Sequence, residues 1–97
     1  MSTTVLLNAK AKETHIEQFV CFLSTLLFET RAFPGCIDIN IYQNDRNPQE
    51  FTFYGNWESI EHYERYLTMR AEQGVMDTLT SMLQTPPDIQ YFKRLKI

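Results

Sequence analysis

A four-stranded antiparallel sheet with helices packed on one face is the α+β fold that the sequence predicts. Three observations carry it: apolar residues alternate with period two in four separate stretches, two longer segments between them have helical apolar spacing, and turn-forming residues stand at the junctions. A chain of 97 residues, 43% hydrophobic and 22% charged, has material for one core and not for two. A single domain over residues 1–97 is expected.

Thr3 to Ala11 alternates, with Val5, Leu7 and Ala9 on one face and Thr4, Leu6, Asn8 and Lys10 on the other. Thr14 and Glu17 then have the spacing of a capping box, in which the threonine hydroxyl accepts from the backbone three residues on and the glutamate reaches back. Ile16, Phe19, Val20, Leu23, Leu26, Leu27 and Thr30 form a wide helical stripe that a sheet must cover. Phe22 and Phe28 lie off its centre, which suggests cover on more than one side. Pro34 and Gly35 end the helix.

Cys36 to Gln43 is a β-branched strand with Ile37, Ile39 and Ile41 on one face and Cys36, Asp38, Asn40 and Tyr42 on the other. Turn formers fill Asn44 to Gln49, and Phe51 to Trp57 alternates again, so the two strands should form an antiparallel hairpin. Ser59 is an N-cap for the next helix, and Glu61 suits the positive end of its dipole. Gly74 interrupts the pattern before Val75, Met76, Leu79, Met82 and Leu83 resume it, which predicts two consecutive helices with a bend. Ile89 to Leu95 closes the sheet. The order strand, helix, strand, strand, helix, strand is the ferredoxin-like arrangement.

The two central strands carry apolar residues on both faces, and helices cover only one. A second copy related by a two-fold axis is the simplest cover, so a homodimer is expected.

Nine basic and twelve acidic residues give a formal charge of −3, and no basic cluster offers a footprint for nucleic acid. The apolar runs fall short of the ~20 residues that span a bilayer, and no signal-like segment opens the chain. A cytoplasmic address with no membrane partner is expected. Cys21 and Cys36 lack metal or redox spacing and read as buried free thiols. Glycine-rich phosphate loops, a serine elbow and a zincin helix are absent. His15 and His62 have no clustered carboxylates beside them, so no metal is expected.

What remains is a polar-aromatic group: Asn8 from the first strand, Phe53 and Trp57 from the third, and Tyr63, Tyr66 and Arg70 from the helix after it. Such a group suits a planar, mostly apolar ligand. The same residues have a plain packing reading. Trp57 and Tyr63 serve as core aromatics in it, Asn8 bonds solvent or a turn, and Arg70 pairs with Glu72 or Glu58 at the surface.

The segments Thr30-Arg31-Ala32-Phe33-Pro34-Gly35-Cys36, Phe53 to Ser59 with Trp57-Glu58-Ser59, and Tyr66-Leu67-Thr68-Met69-Arg70 resemble, in matching order, the antibiotic biosynthesis monooxygenase (ABM) domain family of the dimeric α/β barrel superfamily. The resemblance implies a dimer of ferredoxin-like subunits, each with a pocket between sheet and helices. It implies oxidation of quinols, anthrones or related aromatic phenols by dioxygen, without metal or flavin, the substrate supplying the electrons. Trp57 matches the family's tryptophan at the end of the third strand, Tyr63 falls where anthrone-oxidising members place a tyrosine, and Asn8 matches an asparagine of haem-degrading relatives. Those relatives place a haem-ligating histidine where this chain has Leu67, so haem degradation is not implied. Trp57 and Asn8 would position substrate and oxygen, Tyr63 or Tyr66 would meet the phenol, Phe53 would line the pocket, and Arg70 would attract the anion. The alternative is a non-catalytic dimeric binder or sensor of small aromatic metabolites on the same fold.

Overall fold

A computed structural model describes residues 2–97. Four strands, β1 (Thr3–Lys10), β2 (Cys36–Gln43), β3 (Glu50–Trp57) and β4 (Asp88–Phe92), form one sheet in the order β2-β3-β1-β4. Every neighbouring pair is antiparallel. Helices α1 (Ile16–Ala32), α2 (Ile60–Glu72) and α3 (Val75–Ser81) supply the other layer. The ferredoxin-like order read from the sequence is therefore the observed one, with its second helical segment split in two.

Alternation fixes the two faces of the sheet. Ile39, Gly55, Val5 and Tyr91 share one inner row across the strands, and Ile41, Phe53, Leu7 and Ile89 share the next. Phe19 and Leu23 of α1 and Leu79 of α3 pack on these rows with Ala9, Ala11, Phe51 and Leu83. Phe19 is fully buried and meets Phe51 edge-on at 5.0 Å between ring centres. Val5, Trp57 and Tyr63 form a second cluster beside the first. Each such large apolar side chain contributes about 1.5–3 kcal/mol on burial, so the two clusters hold both layers together.

Local signals succeed where the backbone alone decides. The Asn44 side-chain carbonyl accepts from the backbone N–H of Arg46 and Asn47 at 2.8 and 3.2 Å, which closes the hairpin turn. Ser59 caps α2, its hydroxyl accepting from the His62 N–H at 3.1 Å. Gly74 stands between α2 and α3 at φ 77°, a left-handed conformation that disfavours side chains and that breaks the helix at the expected bend.

Four expectations are corrected. A 3-10 turn at Glu13–His15 precedes α1, so Thr14 lies inside it and its hydroxyl bonds the His15 Nδ1 at 2.9 Å instead of capping the helix. A bulge at Ile37 restarts the alternation of β2, with Cys36 opposite Trp57 and Asp38 opposite Asn56. This extra residue turns Cys36 inward and leaves Ile37 exposed, opposite to their sequence-read faces. Cys21, read as buried, is exposed, because it follows Val20 around α1 away from the sheet. Phe28 is 87% exposed; no second layer covers that side of α1 among the described residues.

Candidate functional site

The two apolar clusters do not fill the space between sheet and helices. Where they meet lies a cavity with Val5, Leu7, Ile39 and Phe53 as its floor, α1 and α2 as its walls, and Val75 and Met76 of α3 at one side. Its free volume is about 50 Å³. A water needs ~10–15 Å³ of such space, and an engineered apolar cavity of ~150 Å³ accepts benzene. The space is thus several times that of one water and about a third of the benzene-sized cavity. Leu26 and Leu27 of α1 and Val75 and Met76 of α3 are among its half-buried lining residues.

Trp57 is fully buried, yet its indole Nε1–H has no hydrogen-bond partner among the described residues. The reason is local. The side chain leans back along β3 over Gly55, where a Cβ would approach Nε1 to 3.0 Å. Glycine thus makes room for the indole, and the surrounding side chains are aromatic or aliphatic. Tyr63 meets the indole at 5.2 Å and 67° between planes, and Tyr66 meets it at 5.1 Å and 40°. Phe33 packs on both Trp57 and Tyr66 from the end of α1. An orphaned buried donor costs about 1–3 kcal/mol, and the residue that carries it lines the cavity.

Burial pushes the Tyr63 hydroxyl well above the usual phenol range, with Tyr91 and Tyr66 adding to the effect. Tyr63 is therefore a proton donor at neutral pH and not a base. Since its folded pKa is raised, its contribution to stability is complete below the unfolded value near 10 and is lost as pH climbs toward the folded one. Alkaline titration of unfolding should show wild-type stability falling by up to ~1.4 kcal/mol per pH unit above pH ~10. Tyr63→Phe should flatten that fall.

Arg70 is only 3% exposed, and its five N–H donors all have partners. Nε donates to the Tyr66 hydroxyl at 3.1 Å, Nη1 to Glu29 Oε1 and Gln73 Oε1 at 3.3 and 3.1 Å, and Nη2 to the Leu26 carbonyl and Thr30 Oγ1 at 3.0 and 2.9 Å. Thr30 donates its own proton to the Leu26 carbonyl at 3.0 Å. The 2.7 Å bond between Thr30 and Tyr66 is then donated by the tyrosine. The Tyr66 proton and all the guanidinium protons are thereby committed to the protein. The carboxylate partner is Glu29 of α1, 58% exposed, in place of the Glu72 or Glu58 read from the sequence.

Five of the six residues singled out in the sequence, Phe53, Trp57, Tyr63, Tyr66 and Arg70, line this cavity. Asn8 does not converge with them. It lies on the opposite face of the sheet, accepting from the Thr52 hydroxyl at 2.8 Å, because β1 turns Val5, Leu7 and Ala9 toward the helices and the residues between them away. Two members of the site were missed. Thr30 joins α1 to Tyr66 and Arg70, and its signal was a hydroxyl in an otherwise apolar helical stripe. Gly55 admits the indole, and its signal was a glycine on the buried face of a strand.

Fold and site together define a ferredoxin-like α+β domain with one aromatic-walled, largely apolar cavity between its layers. The chain belongs to the antibiotic biosynthesis monooxygenase family, whose model matches residues 3–76. Among solved structures it is similar to a conserved protein of Methanosarcina mazei, with 20% identity, TM-score 0.89, and coverage of 98% of this chain and 94% of that one. It is also similar to an antibiotic biosynthesis monooxygenase, with 13% identity, TM-score 0.87, and coverage of 96% and 98%. A Mycobacterium tuberculosis protein matches with 13% identity, TM-score 0.88, and coverage of 100% and 98%. At these identities the likeness is one of fold. An uncharacterized Synechocystis protein is 22% identical over 86 residues, which span 89% of this chain and 58% of that longer relative.

Proposed function

We propose that the cavity binds a quinol, anthrone or similar aromatic phenol and promotes its oxidation by dioxygen, without a cofactor. The carrying observation is the buried, unpartnered Nε1–H of Trp57 at the wall of an apolar cavity. A donor held in a low-dielectric site gains most when negative charge develops on the atom it faces. That charge would arise on a phenolate or peroxide oxygen, with Tyr63 as a second donor.

The cavity lining contains no Asp, Glu or His, so the reading assigns no general base. The phenol would lose its proton to solvent, and the site would favour the resulting anion. Arg70 acts at this point through its field, since its protons are all engaged and its counter-ion is half in solvent. The phenolate then passes one electron to dioxygen, and the substrate radical and superoxide recombine to form a C–O bond at a carbon that carries hydrogen. Loss of water from the protonated peroxide leaves a carbonyl there, giving a quinone from an anthrone or phenol and a hydroxyquinone from a quinol. The site's share is to hold the ring, exclude bulk water and stabilise the oxygen-centred charge.

Oxygen consumption by the chelator-treated protein against a panel of quinols and anthrones tests this reading. Uptake above the spontaneous rate, rising with pH through the phenol's own pKa, is expected. Tight binding across the panel with no uptake above background would overturn it. The lack of a lining base favours, as a second reading, the non-catalytic binder of aromatic metabolites.

The reading also includes a homodimer in the cytoplasm. Leu6, Ile37, Tyr54 and Phe92 lie on the sheet face that no helix covers, around a concavity edged by Lys93 and Arg94. A stable pair buries about 1,000 Å² or more, and this face offers an uncovered apolar surface for it. Sedimentation should give a dimer, shifted toward monomer by Tyr54→Lys. A concentration-independent monomer would sink this part of the reading. No helix among the described residues is long and apolar enough to cross a membrane.

A further inference from the structure

Trp57 is the chain's single tryptophan, and it stands at the inner end of a line of touching aromatic rings. Its ring centre lies 5.2 Å from that of Tyr63, which lies 6.0 Å from that of Tyr91, at interplanar angles of 67° and 78°. Exposure rises along the line from 0% at Trp57 through 4% at Tyr63 to 39% at Tyr91. Three different elements supply these rings: the end of β3, the first turns of α2, and β4. Indole and phenol are the side chains that lose one electron most readily after thiols. Packing them in sequence from a cavity to solvent makes a conductor for an oxidising equivalent.

We infer that Trp57, Tyr63 and Tyr91 form a relay that carries an oxidising equivalent from the cavity wall to the protein surface. The inference rests on the proposed reaction only for the natural source of that equivalent. When dioxygen adds to a substrate radical and the pair is not resolved, a peroxyl radical is left in the cavity. It takes an electron from the indole and the proton from Nε1, becoming a hydroperoxide and leaving an indolyl radical at Trp57. Tyr63 gives up one electron and its phenol proton, which restores the Trp57 N–H and moves the radical to Tyr63. Tyr91 repeats the exchange. A thiol in solution then returns a hydrogen atom to the Tyr91 oxygen and becomes a thiyl radical.

The geometry also sets the direction. Tyr66 is as close to Trp57 as Tyr63 is, at 5.1 Å, but its oxygen accepts from the Arg70 guanidinium and its proton points at Thr30. Losing an electron there would place positive charge beside a buried cation and leave the proton with no base. Tyr91 is 39% exposed, so the radical it receives lies at the surface, where a thiol in solution can reach it. Tyr42 and Tyr54 line hollows on the other face of the sheet and are off the line.

Because Trp57 is the only tryptophan, light at the red edge of indole absorption generates the hole there selectively, with a soluble cobalt(III) ammine complex as the irreversible electron acceptor. Transient absorption should show the tryptophanyl radical decaying as a tyrosyl radical grows. Tyr63→Phe should lengthen the tryptophanyl lifetime by more than an order of magnitude. Tyr91→Phe should leave that first decay at the wild-type rate but hold the radical on Tyr63, where a bulky exposed thiol no longer quenches it. Near-ultraviolet circular dichroism identifies variants that keep the packed core. An unchanged tryptophanyl lifetime in folded Tyr63→Phe, or a tyrosyl signal lost in Tyr66→Phe instead, overturns the relay. Light supplies the hole, so these outcomes do not depend on any substrate being oxidised.

Discussion

Arg70→Lys is expected to lower the thermal unfolding midpoint by about 10–20 °C, although it conserves charge and length. The guanidinium is a rigid fork with five donors, and each is matched by an acceptor from Tyr66, Glu29, Gln73, Leu26 or Thr30. A lysine ammonium brings three donors from one point and cannot span acceptors on two helices. The surviving charge would be buried with fewer bonds, a loss of about 2–3 kcal/mol, and in a domain of this size each kcal/mol moves the midpoint by about 4–8 °C. The ion pair itself contributes little, because Glu29 is 58% exposed and 3.3 Å away. Differential scanning calorimetry of wild type, Arg70→Lys and Glu29→Gln separates these effects. A large shift should follow the lysine and a shift within about 1 kcal/mol the glutamine. Equal stability of Arg70→Lys and wild type would mean that the fork is not what ties α1 to α2.

Trp57→Phe is expected to cut oxidation of an identified phenol by about 10²–10³-fold, the range for removing one preorganised donor from a developing oxyanion. The stability change should be small by comparison. Phenylalanine leaves a gap where the larger ring was, which destabilises, but it also removes an N–H that is buried without a partner, which relieves about 1–3 kcal/mol. The two terms oppose, so activity and folding should separate in this variant. Paired oxygen-uptake and urea-unfolding measurements on one preparation check it. Activity that falls only in proportion to the folded fraction would return Trp57 to an ordinary core role.

The parts of the site legible in the sequence were those on regular elements. Tyr63, Tyr66 and Arg70 follow from helical spacing after a serine cap that forms as read, and Phe53 and Trp57 follow from alternation on β3. Asn8 was grouped with the site as a polar residue of the first strand, against its own alternation, and the alternation prevailed. Cys36 and Ile37 were misassigned because one bulged residue inverts the faces before it. The Thr14 cap failed because a 3-10 turn used that hydroxyl locally. In these last two cases a single residue of local geometry changed the outcome, and period-based reading averages over single residues.

The sequence by itself determined the order of elements, the hairpin, the break at Gly74 and the inward faces of β1 and β3. These depend on interactions a few residues apart and on the 3.6 and 2.0 periods of helix and strand. Only the tertiary structure decided that Arg70 is saturated by α1, that the Trp57 N–H is left without a partner over Gly55, and that Tyr91 meets Tyr63. The first and last of these join residues from different elements, and the second depends on which side chains the facing helices bring around the end of β3, so all three are set by how two layers pack. Hydrogen-bond satisfaction and ring contact are lost within a displacement of about 1 Å, a precision that residue patterns do not encode.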